Sequence, residues 1–147
     1  VMARPLYETE DDRKRELAAI NRLLRGTEKT VRKLPIRYGV DFAIITNGEI
    51  TAWAEVKCRN NSSALYPTLM ISAAKIWQGV YTSINTGKPF FVVAEWTDKI
   101  GFTKIETVEG LSLGFGGRTD RNDSQDVEPV YFIPIKIFTM KEIKNED

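Results

Sequence analysis

The sequence contains no histidine. That absence removes imidazole general bases, Ser-His-Asp and Cys-His nucleophile systems and histidine metal sites together, so carboxylates and lysines must carry any chemistry. A single cysteine, Cys58, cannot form an internal disulfide. No apolar run approaches the roughly 20 residues needed to cross a bilayer, so no membrane partner is expected. The opening residues do not read as a signal peptide, and the expected compartment is cytoplasmic. Formal net charge is only +1, so attraction to a polyanion would have to come from a local patch. No internal repeat or low-complexity tract is evident.

What remains is ordinary for a globular chain. The 147 residues are 42% hydrophobic and 28% charged, which fits one domain over 1–147 with a core that needs no disulfide staples. "TEDDRKRELAAINRLLRG" reads as an amphipathic helix: Thr9 caps it, acidic residues fill its first turn, and Leu17, Ile20 and Leu24 form a stripe before Gly26. "TEKTVRKLP" reads as a short basic connection. "LMISAAKIWQGVYTSINTG" reads as a second helix with Ala73, Ile76, Val80 and Ile84 on its apolar side. "PFFVVAEW" has the near-continuous apolar character of a central strand covered on both faces. Residues 100–108 suggest a further strand, "GFGGRTDRNDSQDVEP" a Gly-rich surface loop, and "VYFIPIKIF" a strand that Pro134 assigns to an edge, before a charged tail.

The stretch "YGVDFAIITNGEITAWAEVKCRN" reads as a hairpin turning at Asn47-Gly48. Strand side chains alternate, and directly paired residues share a face. A two-residue turn carried through without interruption would pair 42 with 53 and bury Glu55 among core residues. A three-residue loop, Thr46 to Gly48, pairs 42 with 52 instead. Val40, Phe42, Ile44, Ile50, Ala52, Ala54 and Val56 then line one face, while Asp41, Glu55 and Lys57 emerge together on the other. Hydrophobic and acidic patterns thus demand the same register.

Two carboxylates on neighbouring strands can share a Mg²⁺, which usually takes one or two protein carboxylates and keeps several waters. Lys57 adds a compact positive charge able to orient a nucleophile or to steady charge developing on phosphate. Glu-x-Lys alone is common and fits a solvated hairpin face equally well; Asp41 in the matching register distinguishes it.

Asp41 in "GVDFAI" followed by Glu55-Val56-Lys57 in "WAEVKC" resembles the PD-(D/E)XK nuclease superfamily, although Val40 stands where proline commonly precedes the aspartate. The resemblance covers roughly the first two-thirds of the chain. It implies an α/β, restriction-endonuclease-like core: a central mixed sheet flanked by helices. It implies a nuclease that hydrolyses DNA phosphodiesters with Mg²⁺ or Mn²⁺, with Asp41, Glu55 and the Val56 carbonyl as metal ligands and Lys57 as the catalytic lysine. A first-helix glutamate often joins them; Glu16, at the border of the buried face, suits that part better than Glu10. Gln78 and Lys75 match by position the glutamine or lysine on the helix after Glu-x-Lys.

Arg59, Lys75, Arg118 and Arg121 are candidates for DNA phosphates, with solvated surface charge as the alternative for each. Trp53 either packs under the second helix or stacks a base. Compact members of the superfamily resolve junctions or serve phage recombination, which points to branched or single-stranded DNA, to a bacterial or phage-infected cell and to a homodimer. A catalytically inactive binding module, an exonuclease and an RNA-directed nuclease remain alternatives.

Overall fold

The computed structural model describes residues 10–117 and 127–143. Helix α1 (Glu10–Leu24) leads into β1 (Thr30–Lys33), β2 (Phe42–Thr46), β3 (Glu49–Cys58) and β4 (Thr68–Ser72). Helix α2 (Ala73–Thr86) follows, then β5 (Phe90–Glu95), β6 (Lys99–Lys104), β7 (Ser112–Gly117), β8 (Val127–Pro134) and β9 (Thr139–Glu142). One sheet has six strands in the order β1-β2-β3-β5-β6-β9, and a second has three in the order β4-β8-β7. The large sheet is mixed: β3 and β5 run parallel at its centre, while its other pairs are antiparallel. The α/β, restriction-endonuclease-like architecture expected from the sequence is therefore present.

Two cores explain why the central strands are apolar on both sides. On one face of the large sheet, Ala19, Ile20 and Leu23 of α1 pack against Phe42, Ile44, Ala54, Val56, Val93 and Ile100. On the other, Ala73 and Ile76 of α2 join Leu69, Ile71, Tyr131 and Ile133 of the small sheet over Phe90, Val92, Ala94 and Trp96. A fully buried side chain such as Ile20 or Ile76 contributes about 2–3 kcal/mol. Strand β5 supplies residues to both cores, as its apolar run predicts.

The hairpin follows neither simple register. Thr46 pairs with Glu49 across a two-residue turn in which Asn47 (φ 53°) and Gly48 (φ 79°) are both left-handed, the geometry Asn-Gly favours. The pairing then shifts: Ile45 meets Ile50, but Ile44 meets Ala52, leaving Thr51 as an extra residue. This bulge is held locally, with Thr51 Oγ1 3.0 Å from Thr46 Oγ1 and 3.4 Å from the Ile44 carbonyl. The expected three-residue loop is thus replaced by a tight turn plus a bulge. Parity beyond the bulge is the same, so Phe42, Ile44, Ala52, Ala54 and Val56 still share the α1 face. Ile50, on the turn side of the bulge, is exposed instead of buried.

Other expectations are corrected as well. The basic connection contains β1, which pairs with β2 from Thr30↔Ile45 to Lys33↔Phe42. Residues 69–72 belong to β4 and not to the second helix: Leu69 and Ile71 are buried while Met70 is exposed, a two-residue alternation that pairing with β8 stabilises. Ile84, expected on the buried stripe of α2, is exposed. Part of the Gly-rich segment forms β7.

Strand β8 is the middle strand of its sheet, not an edge. Its prolines fit because each falls where only one neighbour pairs: Pro134 meets Thr68 of β4 beyond the end of β7, and Pro129 meets Phe115 of β7 beyond the end of β4. The charged tail contributes β9, the edge strand beside β6.

Candidate active site

Asp41 stands immediately before β2. Because Phe42 pairs with Ala54, one further step of the same register sets Asp41 opposite Glu55. The bulge at Thr51 is what produces this match, since an unbroken two-residue hairpin would have sent the two side chains to opposite faces. A hydrogen bond from the Leu34 N–H to the Asp41 carbonyl (2.8 Å) ties the end of β1 to this point. Asp41 and Glu55 are both buried, and Glu55 is only 1% exposed.

Three ammonium groups surround the two carboxylates. Lys57, two residues along β3, holds its Nζ 3.4 Å from Glu55 Oε2. Lys75, in the first turn of α2, donates to Asp41 Oδ1 at 3.2 Å. Lys33, the last residue of β1, lies 3.6 Å from the same oxygen and 5.1 Å from the centre of the Phe42 ring. Lys33 is absent from the sequence-derived candidates, because only its pairing beside Phe42 reveals that the chain between helix and hairpin returns to Asp41.

The carboxylates respond in opposite directions. Burial raises the proton affinity of Asp41, but the Lys75 charge, a hydrogen bond with the Glu55 carboxyl and the Lys33 and Lys57 charges outweigh it and hold the group below its ordinary value. Burial dominates at Glu55 and pushes it up to about 8; the Lys57 charge opposes the rise, and the Asp41 charge adds to it. In its protonated form Glu55 shares a hydrogen bond with the Asp41 carboxylate; ionised, its two oxygens have no donor at hydrogen-bond geometry, although Lys57 stands at ion-pair distance. A buried carboxylate without hydrogen bonds is costly to ionise, and a cation is what such a group lacks.

The remaining candidates take varied places. Gln78 reaches the site indirectly: its side chain packs against Gly39, where an added Cβ would lie 2.3 Å from Gln78 Cγ. Gly39 also has φ 72°, so this turn into Asp41 suits glycine on two counts. Val56 has a fully buried side chain in the α1-side core, which leaves its backbone as the part available to the site.

Glu16 lines a polar cavity of about 290 Å³ with Asp12, Arg15, Lys57, Cys58 and Arg59 at the C-terminal end of β3, sharing Lys57 with the carboxylate pair. Among the described residues, no group of three or more histidine, cysteine, aspartate or glutamate side chains forms a metal-binding set. Glu10 is highly exposed and lies 3.9 Å from Lys14, one helical turn on.

Arg59 is partly committed to structure: it donates to the Met70 carbonyl at 2.8 Å, while Arg15 donates to the Arg59 carbonyl at 3.1 Å. Arg118 and Arg121 lie outside the described residues. Trp53 packs against the α2-side core and donates from Nε1 to Thr86 Oγ1 at 2.9 Å. Cys58 packs against the α1-side core, and burial pushes its thiol up to about 11, far from a thiolate nucleophile.

The donor chemistry fits a hard divalent ion. Two facing buried carboxylates on neighbouring strands are the kind of oxygen set that Mg²⁺ or Mn²⁺ takes while retaining water. Lys57 stands within reach of a group bound beside Glu55.

Comparison with known proteins agrees with this geometry. No curated protein matches the sequence. Among solved structures, the chain resembles Hjc, a Holliday junction resolvase from the archaeal hyperthermophile Archaeoglobus fulgidus, with a TM-score of 0.57 and 18% identity. The match covers 88% of this chain and 90% of that one, and it establishes a shared fold. The family model described as "Phage putative PDDEXK endonuclease" matches residues 2–141, a span containing both carboxylates, the Glu-x-Lys lysine and every described strand up to the last residue of β9. The chain therefore belongs to this phage PDDEXK endonuclease family of nucleases.

Proposed function

We propose that this nuclease is a divalent-metal-dependent endonuclease acting on DNA whose regular duplex is interrupted by a branch or an unpaired segment. The observation that carries the proposal is the facing pair Asp41 and Glu55, buried together, with Lys57 3.4 Å from Glu55 Oε2. Asp41, Glu55 and the Val56 carbonyl would hold the ion. When bound, a divalent ion polarises a phosphoryl oxygen and acidifies its water. Lys57 orients the attacking water and stabilises charge developing on the phosphate.

Gln78, packed on Gly39, positions the turn that carries Asp41. Glu16, which lines the adjoining polar cavity with Lys57, would assist through a second ion or its water shell. Lys75, which donates to Asp41 Oδ1, would also meet a DNA phosphate at the site, and Arg59, Arg118 and Arg121 would contribute further phosphate contacts. The junction preference rests on the likeness in fold to Hjc, a Holliday junction resolvase. Two cuts in one branched substrate call for two such sites, which a homodimer would supply.

Incubation with supercoiled, single-stranded and four-way-junction DNA, each with magnesium and with chelator, tests the proposal. Metal-dependent cutting, fastest on the junction, is expected. Absence of cutting on all three would favour a binding module; cutting confined to linear substrates with ends would indicate an exonuclease. Cutting of RNA in preference to DNA would overturn the substrate assignment.

A further inference from the structure

A cavity of about 430 Å³ lies beneath the C-terminal half of α1, on the face of the large sheet away from Asp41 and Glu55; its lining, including Leu23, Leu24, Phe91 and Phe102, is largely apolar. A different cavity, of about 450 Å³, opens beyond the C-terminal end of β3 and has another character. Its lining includes three aromatic side chains, Tyr66, Trp96 and Phe132, together with Met70, Asn61 and Arg59. Trp96 is buried, Phe132 is half-buried, and Tyr66 is 59% exposed. An aromatic ring so exposed beside a cavity of this size is available to a planar ligand.

Position gives the cavity its meaning. Arg59 lines both it and the polar cavity that holds Glu16, and that second cavity shares Lys57 with the carboxylate pair. A continuous series therefore runs from Glu55 through Lys57 and Arg59 to Tyr66. Arg59 lies four residues beyond Glu55 in sequence, about 13 Å along extended chain. A nucleic-acid strand entering the site would meet cations first and aromatic surface next, the combination that holds unpaired nucleotides. The series also follows the C-terminal end of the parallel β3–β5 pair, where α/β sheets commonly receive ligands.

Resting on the nuclease reading above, we infer that the cavity bounded by Arg59, Tyr66, Met70, Trp96 and Phe132 is a nucleotide subsite, which takes one unpaired base of the DNA a few positions from the scissile phosphate. Tyr66 stacks on the base, and Arg59 marks the passage between this subsite and the reacting centre. The subsite gives the enzyme a means of preferring branched over regular duplex DNA, because a paired and stacked base cannot enter it without opening the helix.

The test uses the full chain with chelator at low salt, so that binding is read without cleavage. The probe is a branched duplex carrying 2-aminopurine at successive unpaired positions beside the branch. Binding should quench fluorescence at one of these positions and leave a fully paired 2-aminopurine duplex unchanged. Tyr66→Ala should abolish that quench and weaken binding of the branched probe about tenfold, with Tyr66→Phe retaining both, as expected for loss and retention of one base–aromatic stack.

Melting temperatures of the two variants provide the folding control. Tight branched-DNA binding with the same quench and affinity in Tyr66→Ala would overturn the subsite alone. So would unchanged binding of a probe whose sole change is an abasic site at the quenched position. Failure to bind any DNA would overturn the nuclease reading and the subsite with it.

Discussion

Replacing Glu55 by glutamine should stabilise the metal-free protein at alkaline pH and have little effect in acid. Glutamine nearly preserves size but cannot ionise. In the folded chain the glutamate is shifted from its ordinary value of 4.5 to about 8, chiefly by burial. At about 1.36 kcal/mol for each tenfold change in proton affinity, that gap amounts to about 5 kcal/mol. Folded protein binds the proton more tightly than unfolded chain does, so stability falls as pH rises from about 4.5 and levels off above about 8.

The glutamine variant escapes this loss. Its advantage over wild type should be below about 1 kcal/mol at pH 5 and reach about 4–5 kcal/mol by pH 8.5, a difference that already includes the opposing attraction of Lys57. Urea denaturation of both proteins in chelator, at pH 5 and pH 8.5, measures the difference. An advantage that is the same at both pH values, or that shrinks as pH rises, would refute the electrostatic account of this carboxylate. Saturating magnesium should narrow that advantage at pH 8.5, because the ion binds more tightly to, and so stabilises more, the protein that retains both charged ligands.

Three further outcomes follow from packing and hydrogen bonding. Gly79→Ala should destabilise the fold by about 1–3 kcal/mol in urea denaturation, because the added Cβ would lie 2.2 Å from the Phe90 ring. Arg59→Met should cost about 1.5–3 kcal/mol through loss of the charged hydrogen bond to the Met70 carbonyl, and hydrogen exchange should accelerate in β4. Lys33→Met removes one of the ammonium groups that lower the proton affinity of Asp41, so the Asp41 titration followed by carboxylate NMR should move upward.

The part of the site made by one hairpin was legible because alternation is a strong constraint. Asp41, Glu55 and Lys57 could not share a face unless Phe42, Ala54 and Val56 shared the other. The means by which the chain achieves this was not legible: Asn47-Gly48 makes its favoured tight turn, and the parity is restored by an extra residue at Thr51. A bulge leaves little trace in composition, since threonine suits a regular strand as well.

Long-range pairing hid the rest. Residues 69–72 have the apolar content of a helix start, and only β8 alongside makes them a strand. Pro134 suggested an edge, yet a proline at the end of one ladder is compatible with a middle strand. Lys33 reaches Asp41 because β1 pairs antiparallel with β2, and a four-residue strand with one fully polar face resembles a linker when read alone.

The cleavage rate of four-way-junction DNA in magnesium, compared among wild type, Asp41→Asn and Lys57→Met, tests the central claim most directly. Each substitution should lower the rate at least about 100-fold, while circular dichroism shows an intact fold and chelator abolishes wild-type cutting. Wild-type rates in both variants, or undiminished wild-type cutting in chelator, would contradict the assignment of the reaction to this carboxylate pair and its lysine.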